Sequence, residues 1–203
     1  MIIFNSTDHP ILVRIGEREF YIQPNQYCQE AVESGRFPLT VCKMQKGKPL
    51  AFYKTQDKDW GVFSRKGFVS LAAEGEIEVN EDTKLHIEAQ QRKCRLRGYG
   101  KYTEHLEHLA CTVENGAIDE ARSVFATPAQ RSRLLNSLRW MLGVIVFFHA
   151  MITLVPLAAW NDPDAWWLVL LFQILFVIEE WQSIRALRIL KRYSVVENKT
   201  NCS

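Results

Sequence analysis

The sequence predicts an α+β membrane protein: a cytosolic antiparallel β-domain, sandwich or small barrel, followed by a two-helix transmembrane hairpin. Three observations predict it. Short β-branched runs separated by turn residues fill the first part of the 203-residue chain, and two long apolar runs follow. Basic residues flank this apolar pair, but none lies between its two runs. A mean hydropathy of -0.14 hides the division because it averages a charged first part with a strongly apolar later one. The boundaries implied are a β-rich domain over 1–126, a hairpin with amphipathic extensions over 127–193, and a polar tail over 194–203.

Within 1–126, strands are expected at 11–15 (ILVRI), 19–23 (EFYIQ), 39–44 (LTVCKM) and 50–54 (LAFYK), each ending near Gly, Pro, Asn or a charge cluster. Two hairpins stand out. In the first, 76–79 and 83–89 flank turn residues at 80–82, and Leu85, Ile87 and Ala89 alternate with His86 and Glu88. In the second, 108–118 (HLACTVENGAI), Asn115 and Gly116 suit the two positive φ angles of a type I′ turn. With no long helical pattern between strands to make crossovers, an antiparallel arrangement is expected. Residues 26–35 fit either a short helix or a turn.

A helix is expected to start at Thr127-Pro-Ala-Gln, which offers a capping hydroxyl, proline at the first helical position and glutamine at the third, as in a capping box. Its apolar part, 140–160, has only His149 and Thr153 as polar side chains. At ~1.5 Å per residue it crosses a hydrocarbon core of ~30 Å, with Pro156 near its far end. After the turn sequence NDPD at 161–164, the chain is apolar over 165–178. That run is too short to span, so the second helix must carry Glu179 and Glu180 and reach about Ile184. Arg131, Arg133 and Arg139 precede the first span, and Arg185, Arg188, Lys191 and Arg192 follow the second. The intervening turn holds only Asp162 and Asp164, so both termini are expected in the cytosol of a multi-pass protein. Trp160, Trp166 and Trp167 suit the outer interface, Trp140 and Trp181 the inner one. The opening MIIFNSTDHP has no signal-peptide pattern, which agrees with a cytosolic first part.

His149, Thr153, Gln173, Glu179 and Glu180 are the intramembrane polar residues. In an antiparallel hairpin His149 lies level with about Phe176, one turn from Glu180. His149 and Thr153 share one helix face, and Gln173, Val177 and Glu180 share another. An ionisable group near a membrane centre costs on the order of 3 kcal/mol, which makes His149 with Glu180 a candidate for proton or ion passage. The plainer reading is a helix contact, with the glutamates reaching headgroup water.

Arg92, Lys93, Arg95, Arg97 and Lys101 gather around Gly98 and Gly100. Alternation puts Lys93, Arg95 and Arg97 on one face, suited to an anion or lipid headgroup, or simply a solvated charged face. His105, His108 and Cys111 would line one side of a helix as zinc ligands, but the segment reads as a strand, which separates 105 from 108. Beyond Trp181, Ile184, Leu187 and Leu190 make an apolar stripe beside the basic one. Five widely spaced cysteines without a CxxC pair favour a reducing compartment, and the sequons at Asn198 and Asn201 fall in the tail. A net charge of +2 without an RNP-type aromatic motif excludes nothing but argues against nucleic acid. No hydrolase, metalloprotease, P-loop or dinucleotide motif is present, and no cofactor or metal is implied. The expected role is a membrane-anchored binding, scaffold or regulatory subunit. Its partners would be the bilayer and a membrane protein or further copies of itself. The alternative is a homo-oligomeric pore or proton path lined by His149 and Glu180, with an enzyme acting on a membrane substrate third.

Overall fold

The computed structural model describes residues 1–56, 65–96, 103–158 and 163–197. Among these residues, twelve strands precede two helices. Ile2–Asn5 (β1), Ile11–Ile15 (β2), Arg18–Ile22 (β3), Tyr27–Gln29 (β4), Gly35–Gln45 (β5), Lys48–Pro49 (β6) and Phe52–Gln56 (β7) come first. Arg65–Ser70 (β8), Ala72–Val79 (β9), Lys84–Leu96 (β10), Thr103–Glu114 (β11) and Ala117–Val124 (β12) follow, then Pro128–Ala158 (α1) and Pro163–Lys191 (α2). The ambiguous 26–35 segment contains the short strand β4.

The strands form two sheets, ordered β4-β1-β10-β11-β8-β7 and β12-β9-β5-β2-β3, with β6 paired to the end of β5. Apolar residues at alternate positions face one shared core: Ile3, Leu85, Ile87 and Leu109 from the first sheet meet Val13, Val41, Ile77 and Val79 from the second. The wholly antiparallel expectation is corrected in two places, because β1 runs parallel to β10 and β8 parallel to β11.

The same crossing habit corrects both expected hairpins. β9 and β10 lie in different sheets, as do β11 and β12, so the turns at 80–82 and 115–116 carry the chain across the core instead of back along it. Asn115 has a φ of 56°, but Gly116 is not in the left-handed region, so the turn is not type I′. Gly116 is required for another reason: a Cβ there would sit 2.5 Å from the Glu78 carbonyl oxygen. Thr83 Oγ1 donates to the Asn115 carbonyl at 2.9 Å and ties the two crossings side by side. A tight two-residue loop does join β5 to β6, where Lys46 and Gly47 both have positive φ.

Thr127 caps α1 through a 3.2 Å bond from the Gln130 amide. The reciprocal half of the expected capping box is replaced, because the Gln130 side chain donates instead to the Pro49 carbonyl at 2.9 Å. α1 and α2 pack against each other, and both are long and apolar enough to cross a membrane; only 6% of each apolar window is buried within the protein. Phe147, Trp167 and Leu168 are exposed at 60%, 75% and 60%. At their other ends the helices share a second core with the sheets. Leu134, Leu135, Leu138, Ala186 and Leu190 pack with Val69, Leu71, Leu96, Leu106 and Phe125. Each buried leucine contributes about 1.5–3 kcal/mol relative to leaving it in water. After α2 the chain returns along β12's end, where the Phe125 amide donates to the Ser194 carbonyl and the Val196 amide to the Phe125 carbonyl, both at 2.9 Å. The turn at 161–162 and Trp160 lie outside the described residues.

Candidate functional site

Three polar constellations merit comparison, and the first lies between the helices. His149 on α1 bonds through Nδ1 to Glu180 Oε1 of α2 at 2.6 Å, and through Nε2 to Gln173 Oε1. Gln173 Nε2 donates to Thr153 Oγ1 at 2.8 Å, and that hydroxyl donates to the His149 carbonyl at 2.8 Å. The Phe176 ring stacks on the imidazole with centroids 5.6 Å apart. The structure therefore brings His149, Thr153 and Gln173 into one closed loop, with Glu180 bonded to its imidazole. Helical spacing explains the set: 149 and 153 share one face, and 173 and 180 the face opposite them. Glu179, next in sequence to Glu180, points about 100° away around the helix and lies outside this loop.

The loop also fixes proton positions. Because the Thr153 hydroxyl gives its proton to the His149 carbonyl, it accepts from the Gln173 amide, which leaves the amide oxygen to accept from His149 Nε2–H. One further proton then lies between His149 Nδ1 and Glu180. Either an imidazolium faces a carboxylate or a neutral imidazole faces a carboxylic acid. Both forms are neutral overall, which is what an apolar setting favours.

The second constellation joins the two sheets and had no place in the sequence reading. Lys43 on β5 and Glu107 on β11 are fully buried, with Lys43 Nζ 2.8 Å from Glu107 Oε1. Lys43 also contacts Asp8 and lies 5.1 Å from the centre of the Tyr53 ring. Tyr53 donates its hydroxyl proton to Glu107 Oε2, and Ser70 donates to Glu107 Oε1 at 3.2 Å. His9 Nδ1 lies 3.0 Å from Asp8 Oδ1 at the solvent end. Burial, and then the hydrogen bond and charge of Glu107, push the Tyr53 phenol far above its ordinary value. Burial also raises the Asp8 carboxyl, but the bonds and charges of Lys43 and His9 together outweigh it and hold it below the usual range. A signal existed: by alternation Lys43 falls on the same face as the core residues Leu39 and Val41, and Glu107 on the same face as the core residue Leu109.

The third is basic. Arg92 and Lys93 line an open cavity of about 640 Å³ between β10 and α2, opposite Arg185, Arg188 and Arg192. Arg95 is exposed on β10 but does not line it. The pairing of β10 with β11 shifts register between Lys93 and Leu96, and Lys93 and Arg95 are both exposed. Arg97 and Lys101 lie outside the described residues, as do Gly98 and Gly100.

His105, His108 and Cys111 all fall on β11. His105 stacks on Phe68, His108 bonds Ser123 at 2.8 Å, and Cys111 packs against the shared core. Among the described residues no three His, Cys, Asp or Glu side chains are grouped to hold a metal ion. Comparison with protein-family models, with curated proteins and with solved structures finds no match for this chain.

Proposed function

We propose that α1 and α2 cross a membrane as a hairpin and hold the β-rich part at its cytosolic face, as a binding, scaffold or regulatory subunit for a membrane partner. One observation carries this reading: the exposed apolar surface of the helices ends where the sheets begin, and a shared core joins the two. The β-rich part is thus fixed to the hairpin ends and not tethered by a linker, as a module that presents a surface at a set height would be. Arg131, Arg133 and Arg139, with Arg185, Arg188, Lys191 and Arg192, occupy that same end, which supports a cytosolic placement. The polar side chains between the helices satisfy one another, so they serve the helix contact without needing a water path.

The test is alkaline carbonate extraction of source membranes, followed by native mass spectrometry of the protein carried into nanodiscs. The expected result is retention in the membrane and a stoichiometric complex with a different membrane protein. Release by carbonate overturns the membrane reading. A homo-oligomer without partners would favour a pore built from several hairpins, since two helices alone cannot enclose a water path.

A further inference from the structure

We infer that the cavity between β10 and α2 is a binding site for the multiply phosphorylated headgroup of an anionic membrane lipid. This rests on the membrane placement proposed above. Among the described residues, five cationic side chains, Arg92, Lys93, Arg185, Arg188 and Arg192, line it, and no carboxylate does. None of the five forms a salt bridge with a described carboxylate, whereas Arg14, Arg36, Lys43, Lys84 and Arg122 all do. Like charges held together on two different elements repel one another, and an anion of more than one charge relieves that repulsion.

The geometry favours a lipid over a soluble anion. Residues 181, 185, 188 and 192 follow one another at helical spacing, so the cationic stripe begins one turn beyond Trp181. Trp181 is 61% exposed and forms one wall with Ile184 and Ile189. Its indole marks the interfacial level in the proposed orientation, which places the arginines at headgroup depth. Apolar surface on the membrane side and guanidinium groups on the other match a glycerophosphate with further phosphates on its headgroup. The volume lies within the range of small-ligand sites. Planar guanidinium groups recognise phosphate through paired N–H donors, and four of the five cations are arginines.

The experiment places the full chain in phosphatidylcholine nanodiscs containing either phosphatidylinositol bisphosphate or phosphatidylserine, matched for total lipid charge. Retained lipids are counted by native mass spectrometry. Incorporation into nanodiscs is scored first, so a failure of the membrane reading is seen separately from a failure of this one. The expected result is a preference for the bisphosphate lipid that falls by roughly tenfold or more in Arg92→Gln/Arg188→Gln. Arg139→Gln/Lys191→Gln removes the same charge from the same end but from outside the cavity, and should keep the preference. An equal fall in both double variants, or no preference between the two lipids, overturns the inference. In neutral nanodiscs, soluble inositol trisphosphate binding as tightly as the bisphosphate lipid would assign the cavity to a free phosphate and also overturn it.

Discussion

The two polar networks of this protein use nearly the same parts, a base held by a carboxylate, with a hydroxyl and a further hydrogen-bonding side chain, yet they differ in what surrounds them. The Lys43 network is enclosed by strands of both sheets, with Lys43 at 0% and Glu107 at 1% exposure. The His149 network lies at a two-helix contact, with His149 and Glu180 at 20% and 23%. Because Lys43 and Glu107 are both enclosed, losing either one leaves the other's charge buried. A two-helix contact lets side chains turn outward or exchange a proton. The first network should therefore govern the stability of the fold, while the second adjusts how two helices meet.

The largest expected effect tests that contrast directly. Glu107→Gln leaves Lys43 buried without its main counter-charge and should destabilise by about 3–5 kcal/mol, as should Lys43→Met, which strands Glu107. The double variant Lys43→Met/Glu107→Gln should recover most of the loss, because an apolar and a neutral side chain then share the space. Urea unfolding of the four proteins in one membrane mimic measures the coupling. Additive losses would show that the pair is not the unit described here.

The same cycle on His149→Ala and Glu180→Gln should give a coupling of no more than about 2 kcal/mol, with both variants folded and inserted. A coupling as large as that of Lys43 with Glu107 would break the comparison and give the helix pair a structural weight its exposure does not suggest. Loss of proton or ion flux with insertion intact would instead support the pore.

These two networks also show what the sequence made legible. His149 stands out because a polar residue in an apolar run is visible without any structure, and the position of the turn in an antiparallel hairpin sets roughly which residues lie level. The Phe176 stacking and the facing of 149/153 with 173/180 follow from that register. Lys43 does not stand out in the sequence because charges are ordinary in strands, and its partners come from β7, β8, β11 and the β1–β2 connection. Alternation located most strands, but it cannot say which sheet a strand joins. Turn residues at 80–82 and 115–116 dictate that the chain reverses, while the contacts around Thr83 and Gly116 decide that it crosses. The basic cavity was half visible: Arg92 and Lys93 were recognised, but the α2 arginines opposite them come together with β10 only through the packing of Leu96 against Ala186 and Leu190.

A smaller effect probes the open end of the Lys43 network. The Asp8 side chain is 54% exposed, so Asp8→Asn should cost no more than about 1 kcal/mol at neutral pH. Its folded value lies below 3.8, so the unfolded chain takes up the proton first as acid is added. The contribution is in place above about pH 4 and is lost as pH falls through the folded value. Wild type and variant should therefore differ near neutrality and converge in urea unfolding once the pH has fallen below the folded value. A difference that persists in acid would assign the effect to shape and not to charge.

The smallest signal is the most local. Cys42 precedes Lys43 on β5, its Sγ lies 3.7 Å from Met44 Sδ, and burial pushes its thiol up to about 11. At about pH 8 only roughly one thiol in a thousand is ionised, and the side chain is buried, so alkylation requires opening of the structure around β5. Iodoacetamide labelling of Cys42, read by peptide mass, should be slow in wild type and nearly unchanged in His149→Ala. It should accelerate strongly in Glu107→Gln, because the charge left on Lys43 favours every conformation that lets water reach it. If His149→Ala speeds labelling as much as Glu107→Gln does, the two networks are parts of one cooperative unit joined through the core shared by the helices and sheets. The contrast in their surroundings would then not translate into a contrast in stability.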